Sequence, residues 1–190
     1  MRDDLKPRNR ETGANWVRRV LRSPSDRDKQ RKIGPSDMGN MCDYCLADAL
    51  TRTSPSLIGT YWLGARIGTA VHLDLEQQAE HIPGVEPESK VVVGELGGYG
   101  TVKGTSDGYW TEQSRILDYK TTTRDKLVWI KRAHETEETE YDVNLLTEAR
   151  RKVMSYIVQT HVYAKAKIDA GFPVKDISIV YLCRDGKVDS

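Results

Sequence analysis

Two neighbouring stretches, Gly104-Thr105-Ser106-Asp107 and Ile116-Leu117-Asp118-Tyr119-Lys120-Thr121-Thr122, carry two carboxylates and a lysine. Both have the composition of strands. Because successive side chains on a strand point to opposite faces, Asp118 and Lys120 share one face of the second strand. A short turn at residues 111–114 would bring Asp107 beside Asp118. The two stretches therefore predict a sheet edge at which two carboxylates and a lysine meet.

Two carboxylates at one sheet edge repel each other unless a cation lies between them. Mg²⁺ is the economical choice, because it takes one or two carboxylates and keeps several waters for a phosphate substrate. A lysine two residues beyond the second carboxylate can then orient the attacking water and offset phosphate charge. Asp107, Asp118 and Lys120 thus point to metal-assisted phosphate chemistry.

Two helices flank these strands in the sequence. Upstream, apolar residues recur at helical spacing and predict an amphipathic helix that carries His72 beside its apolar stripe: Ile67, Val71, Leu75 and Ala79. Downstream, Gln159 and Tyr163 lie four residues apart in a predicted helix over 144–170 and so face the same way. Taken alone, His72 is most simply a packed or surface histidine, and Gln159 and Tyr163 are ordinary amphipathic residues.

In their order along the chain, these motifs resemble the PD-(D/E)xK nuclease superfamily, in its RecB-like exonuclease branch. The matching elements are a Gly-x-x-x-His helix ending at His72, then Asp107, then Asp118-x-Lys120, then Gln159-x-x-x-Tyr163. The resemblance covers about residues 33–183. It is greatest to the small stand-alone exonucleases of phages and to the related CRISPR-associated adaptation nucleases.

The resemblance implies an α/β fold with a restriction-endonuclease-like core, a mixed β-sheet flanked by helices. It implies catalysis by Asp107, Asp118 and Lys120. It also implies Mg²⁺ or Mn²⁺ held by His72, Asp107, Asp118 and the carbonyl of Tyr119. Gln159 and Tyr163 are expected to lie close to bound DNA.

The implied activity is metal-dependent hydrolysis of DNA phosphodiester bonds. We expect an exonuclease of recombination, repair or replication, encoded by a phage, that acts on DNA with a free end or single strand. A recombination partner protein and an oligomer are compatible with this expectation. The alternatives are a catalytically silent DNA-binding module with a nuclease fold, and a structural protein built on a cysteine-based metal or redox site.

Composition gives no global nucleic-acid signature, because the 190 residues carry a net charge of only +1. DNA binding must therefore come from local basic patches. Arg124 and Lys126 follow the Asp118 strand directly and are the first candidates. Further candidates are Lys131, Arg132, Arg150, Arg151, Lys152, Lys165 and Lys167. A solvated helical face would explain the same charges.

The three cysteines of the chain leave several interpretations open. Cys42 and Cys45 form a Cys-x-x-Cys motif, which is typical of half a metal site, a redox pair or two small buried residues. Cys183 lies near the other end of the chain, a split layout that resembles iron–sulfur relatives of the nuclease family. A closed zinc or [4Fe–4S] site normally needs four ligands, and only three cysteines are present.

The chain divides into an N-terminal helix and charged linker, residues 1–32, and a nuclease domain, residues 33–190. No apolar run reaches the length of a membrane span and the N-terminus lacks the apolar core of a signal peptide, so we expect a cytoplasmic protein, in the host if phage-encoded. Further predicted helices cover 38–50 and 125–133. Predicted strands cover 90–95, 101–110, 116–122 and 176–183.

Overall fold

The computed structural model describes Asn15 and residues 32–40, 42–51, 62–135 and 143–185. Apart from Asn15, the predicted N-terminal helix lies outside these ranges, as do nearly all of the charged linker and the predicted loops around 52–60 and 136–140. Within the described ranges, no helix has the length and apolar character required to cross a bilayer.

Five helices and four strands make up the described part of the chain. The helices are α1 (Pro35–Met38), α2 (Asp43–Thr51), α3 (Trp62–Ala79), α4 (Arg124–Glu135) and α5 (Val143–Asp169). The strands are β1 (Val85–Glu95), β2 (Thr101–Trp110), β3 (Arg115–Thr122) and β4 (Asp176–Cys183). A single 3₁₀ turn, Gly97–Tyr99, connects β1 to β2.

The strands form one mixed sheet in the order β1-β2-β3-β4. β1 with β2 and β2 with β3 are antiparallel, whereas β3 and β4 are parallel. A parallel pair needs a long crossover connection, and α4 and α5 supply it here. The predicted mixed α/β sheet flanked by helices is therefore confirmed.

β3 is the inner strand that contacts helices on both faces. The ring of Tyr119 meets the His72 ring of α3 edge to face, with the ring centres 6.3 Å apart. On the opposite face, the Lys120 ammonium lies over the ring of Tyr156, which belongs to α5. The alternation predicted for this strand is thus confirmed, and it puts α3 and α5 on opposite sides of the sheet.

The segment around α1 packs tightly on β2 and α5. A Cβ atom at Gly104 would overlap the Pro35 ring and lie 2.9 Å from Cε1 of Tyr163. A Cβ atom at Gly39 would lie 2.6 Å from the backbone of Ser155 in α5. Two glycines therefore permit the close approach of α1 to the sheet and to the long helix.

Two predictions of local structure are wrong. The single helix over 38–50 is interrupted at residues 39–42, because Gly39 ends α1 and Cys42 precedes the start of α2. The strand predicted over 90–95 begins earlier, at Val85, since antiparallel pairing with β2 extends it across Pro87. Tertiary pairing overrides local propensity in both regions.

Lys167 was predicted to belong to a basic surface patch, and this is wrong. It is 3% exposed, donates a hydrogen bond of 2.8 Å to Glu86, and its ammonium lies 4.7 Å from the ring centre of Tyr109 and 4.3 Å from that of Phe172. The helix predicted over 144–170 ends at Asp169, and Ala170 is exposed just beyond it. The buried face of α5 is thus set by its tertiary contacts, which here are Glu86 and Tyr109 of the sheet and Phe172 of the connection that follows the helix.

The space around Gly104 generates a stability prediction. We expect Gly104→Ala to lower the free energy of unfolding by about 1–3 kcal/mol, because the added methyl group overpacks the contact with Pro35 and Tyr163. Gly108→Ala, in the same strand, is the matched control, since its Cβ would meet Leu117 at an ordinary 3.5 Å. Urea unfolding of both variants measures the difference. Equal losses would contradict the packing described here.

The Lys167 contacts generate a second prediction. We expect Lys167→Met to cost about 2 kcal/mol near pH 7, from the lost ion pair and ring contacts. Burial acts to raise the pKa of Glu86, but hydrogen bonds from Lys167 and Ser89 outweigh it and hold the pKa below its usual 4.5. A carboxyl group whose pKa is lower in the folded state stabilises the fold fully at pH values above its unfolded-state pKa. This contribution to stability is lost as the pH falls through the folded-state pKa.

The cost of Lys167→Met should therefore shrink below pH 4.5, and urea unfolding across pH 3–7 measures it. Lys165→Met is the control, because the Lys165–Asp169 pair is exposed and contributes little. A cost that is independent of pH would mean that only packing holds Lys167.

Candidate functional site

The site begins where β2 and β3 separate. Their pairing runs from Trp110 with Arg115 to Gly108 with Leu117 and stops there, so the next opposed residues would be Asp107 and Asp118. Beyond that point the side chain of Asp107 links the two strands, because its Oδ2 accepts a hydrogen bond of 2.6 Å from the Tyr119 backbone N–H. A carboxylate thus replaces the backbone link between the two strands.

Asp118 is buried in the centre of the sheet, at 1% exposure. Lys120 Nζ donates a 2.9 Å hydrogen bond to its Oδ1. The same ammonium lies 2.7 Å from Oδ2, as an ion-pair contact without hydrogen-bond geometry. Burial raises the pKa of Asp118, although the Lys120 ammonium opposes the shift. The prediction that Asp118 and Lys120 share one strand face is confirmed, and the structure adds that the two groups pair directly.

His72 reaches the same carboxylates from α3. Its Nδ1 lies 3.3 Å from Oδ1 of Asp107. One turn earlier, a Cβ at Gly68 would lie 2.9 Å from Oγ1 of Thr121, so the glycine allows α3 to approach β3 closely. The hydrogen bond with Asp107 raises the pKa of His72, while burial acts to lower it. The Gly-x-x-x-His spacing therefore has a packing reason, because the close approach at Gly68 sets His72 beside Asp107.

Gln159 and Tyr163 face the site from α5. Gln159 Nε2 donates a 3.0 Å hydrogen bond to the Tyr163 hydroxyl. Burial raises the pKa of Tyr163 to about 12, with Asp118 and Asp107 adding to the shift and the Gln159 bond opposing it. The predicted pair thus lies within electrostatic range of both carboxylates. At this pKa the hydroxyl keeps its proton at neutral pH and can act as a donor.

Two more residues of α5 lie beside this pair: Tyr156, which was not predicted as a site residue, and Lys152, which was predicted only as a candidate for a basic patch. They continue the Gln159 and Tyr163 spacing backwards at intervals of three and four residues, so one face of α5 carries all four. The ammonium groups of Lys120 and Lys152 lie 5.0 and 5.3 Å from the centre of the Tyr156 ring. Extending the helical pattern upstream from Gln159 would have placed both residues on the helix face that carries Gln159 and Tyr163.

Two further residues near the carboxylates had no signal in the sequence. Glu88 lies opposite Asp107, because Pro87 pairs with Gly108 and Ser89 with Ser106. It adopts a positive φ of 46° and contributes to the raised pKa of Tyr163. Tyr181 pairs with Lys120 across β3 and β4, and its buried hydroxyl makes no hydrogen bond with the described residues.

The basic residues predicted after β3 have different positions. The Arg124 backbone N–H is capped by Asp185 Oδ1 at 2.7 Å, and the residue is exposed at the start of α4. Lys126, also exposed, lies close enough to Lys152 to lower the pKa of that lysine. Lys126 is therefore next to the α5 face of the site, and Arg124 lies one half turn of helix away.

The cysteines form no three-ligand cluster in the described part of the chain. Cys42 and Cys45 form a disulfide at the start of α2, and Cys183 contacts Asp185 with its sulfur. The interpretation as two small buried residues is wrong, because Cys45 is exposed. The iron–sulfur and zinc hypotheses for Cys42, Cys45 and Cys183 stay predictions.

The donor chemistry around Asp118 fits a hard divalent cation. The carboxylates of Asp107 and Asp118 supply oxygen, His72 supplies nitrogen, and the Tyr119 carbonyl leaves β3 on the same edge as the N–H that Asp107 accepts. Oδ2 of buried Asp118 makes no hydrogen bond with the described residues. Among those residues, no group of three or more His, Cys, Asp or Glu side chains is arranged to hold a metal ion; Lys120 pairs with Asp118, and His72 pairs with Asp107.

No protein-family model, curated protein or solved structure matches this chain. The assignment of the site therefore depends on its own residues and geometry.

The Asp118–Lys120 pair generates a prediction that requires no activity. Removing one partner of a buried pair leaves an uncompensated charge, which typically costs about 3–5 kcal/mol. We expect Asp118→Asn and Lys120→Met each to destabilise, and the double variant to lose clearly less than the sum. Urea unfolding of the four proteins gives the coupling energy. Additive losses would show that the two groups do not depend on each other.

Proposed function

We propose that this chain is a metal-dependent nuclease that hydrolyses phosphodiester bonds in DNA. The observation that carries the proposal is the buried Asp118–Lys120 pair, set beside Asp107 where β2 and β3 separate. A buried charged pair is often less stable than apolar residues of the same volume. Its presence at the divergence of two strands, with a second carboxylate and a histidine, favours a chemical role.

Asp107, Asp118, His72 and the Tyr119 carbonyl would hold Mg²⁺ or Mn²⁺, and the imidazole suits Mn²⁺ better. The metal, when bound, supplies Lewis-acid activation of the phosphate. Lys120 would position the attacking water once Asp118 turns to the cation. The protonated hydroxyl of Tyr163, oriented by Gln159, would donate to a phosphate oxygen of the bound strand.

The arrangement supports, within the proposal, the finer assignment to a restriction-endonuclease-like core of the RecB-like branch. The mixed sheet, its order and the helix on each face accord with that core. We propose DNA with a free end or single strand as the substrate, in the cytoplasm, in recombination, repair or replication. An exonuclease is the form that the resemblance favours.

The decisive experiment measures cleavage of end-labelled linear DNA and closed circular DNA with Mn²⁺, Mg²⁺ or EDTA. We expect Lys120→Ala to lower the rate by about 10²–10⁴-fold, the range for loss of a group that orients or activates the attacking water. Lys103→Ala is the matched control, because this exposed lysine lies on β2 and outside the site. Circular dichroism and thermal unfolding verify that each variant is folded.

Metal-dependent loss of linear DNA alone, abolished by Lys120→Ala but not by Lys103→Ala, would support the exonuclease. Loss of circular DNA as well would indicate an endonuclease with the same site. Binding without cleavage under every metal would leave a DNA-binding module. Cleavage that is insensitive to Lys120→Ala would mean that the chemistry lies elsewhere.

A further inference from the structure

Three lysines from three different elements converge beside the candidate site. Lys120 comes from β3, Lys126 from the first turn of α4 and Lys152 from α5. The ammonium groups of Lys120 and Lys152 both pack against Tyr156, at 5.0 and 5.3 Å from its ring centre. The electron-rich face of an aromatic ring attracts cations, so Tyr156 holds these two charges in place.

In this lysine cluster, defined as Lys120, Lys126 and Lys152, the described groups that act on Lys152 carry more positive than negative charge. Asp118 forms an ion pair with Lys120. Partial burial of the Lys152 ammonium group lowers the pKa of Lys152, and the charges of Lys120 and Lys126 lower it further. Among the causes of this shift, only the charge of Glu148 acts to raise the pKa of Lys152. Bringing ammonium groups together in this way costs free energy that an anion would recover.

The position of the cluster indicates which anion fits. It includes Lys120, which pairs with Asp118, and it lies on the α5 face of the sheet together with Tyr163 and Gln159. A strand that meets those residues therefore passes Lys126 and Lys152 next. Lysine binds phosphate well as a compact point charge with freely rotating donors. Glu148 and Lys152 are both exposed, so the cluster is open to a macromolecular ligand.

We propose that Lys126 and Lys152 bind a second phosphate of the DNA strand, adjacent to the phosphate held at Asp107, Asp118 and Lys120. The identity of the ligand as DNA rests on the proposed function. Tyr156 acts as a positioning residue, because its ring contacts the ammonium groups of both Lys120 and Lys152. The cluster thus fixes the direction in which the strand leaves the site.

The test is DNA binding in EDTA, where cleavage does not interfere. Fluorescence anisotropy with a labelled single-stranded oligonucleotide is measured across a salt series for the wild type, Lys152→Gln and Arg151→Gln. We expect several-fold weaker binding for Lys152→Gln and a salt slope reduced by about 0.7, the value for one phosphate contact on a single strand. Arg151, which the sequence also offered as a basic candidate, is exposed and lies outside the lysine cluster, so Arg151→Gln removes the same charge and should leave the slope unchanged.

Three further variants distinguish the effects of charge and of positioning from effects on folding. Lys152→Arg keeps the charge and should retain the slope. Tyr156→Phe keeps the ring and should bind as the wild type does, whereas Tyr156→Leu removes the ring and should reproduce the loss of Lys152→Gln. Thermal unfolding of each variant identifies any loss that comes from the fold.

Each outcome decides one of the two proposals separately. Equal slopes for Lys152→Gln and Arg151→Gln, or a wild type that does not bind DNA, would overturn the second phosphate position. If the slope falls for Lys152→Gln but the wild type never cuts with metal, the phosphate position stands and the nuclease activity does not. Cleavage by a wild type whose binding ignores Lys152 gives the reverse result.

Discussion

The hydrogen bond from the Tyr119 N–H to the Asp107 carboxylate is the contact on which the candidate site depends. Backbone pairing of β2 with β3 ends at Gly108 and Leu117, and this 2.6 Å bond carries the connection one step further. It fixes one carboxylate oxygen of Asp107 and leaves the other for His72 at 3.3 Å. Asp118, on the strand that donates the bond, is brought to the same place.

This arrangement buries charged groups, which lowers the stability of the fold. Asp118 is almost fully buried and stays paired with Lys120, so the sheet contains an ion pair where an apolar pair would pack well. Tyr163 and Tyr156 lie near the pair, and burial raises the pKa of each to about 12. Polar groups in an environment of low dielectric constant interact more strongly with a charged ligand than the same groups do in water.

Helix α5 serves both stability and the site, on different turns. Near its C-terminal end, Lys167 is clamped between Tyr109, Phe172 and Glu86 and contributes to the core. Towards its N-terminal half, Lys152 extends from the same helix to the Tyr156 ring and stays exposed. The same residue type is thus structural at Lys167, where the sheet supplies a carboxylate and a ring, and at Lys152 we propose that it binds phosphate.

Much of this could be predicted from local pattern. Period-two alternation placed Asp118 and Lys120 on one face, and four-residue spacing placed Gln159 beside Tyr163, because these relations depend only on the geometry of a strand and of a helix. The mixed sheet flanked by helices was expected from the resemblance, whereas the strand order β1-β2-β3-β4 was not predicted. The break between α1 and α2 was missed, because the close approach of Gly39 to Ser155 is a tertiary contact.

The sequence by itself determined the elements and the residue types of the candidate site, since both follow from spacing within one strand or helix. Only the tertiary structure decided that Lys167 is core and Lys152 is surface, that Glu88 lies opposite Asp107, and that Tyr156 joins Lys120 to Lys152. These relations link residues far apart in the chain, so strand register and helix packing set them, and local pattern carries no information about either.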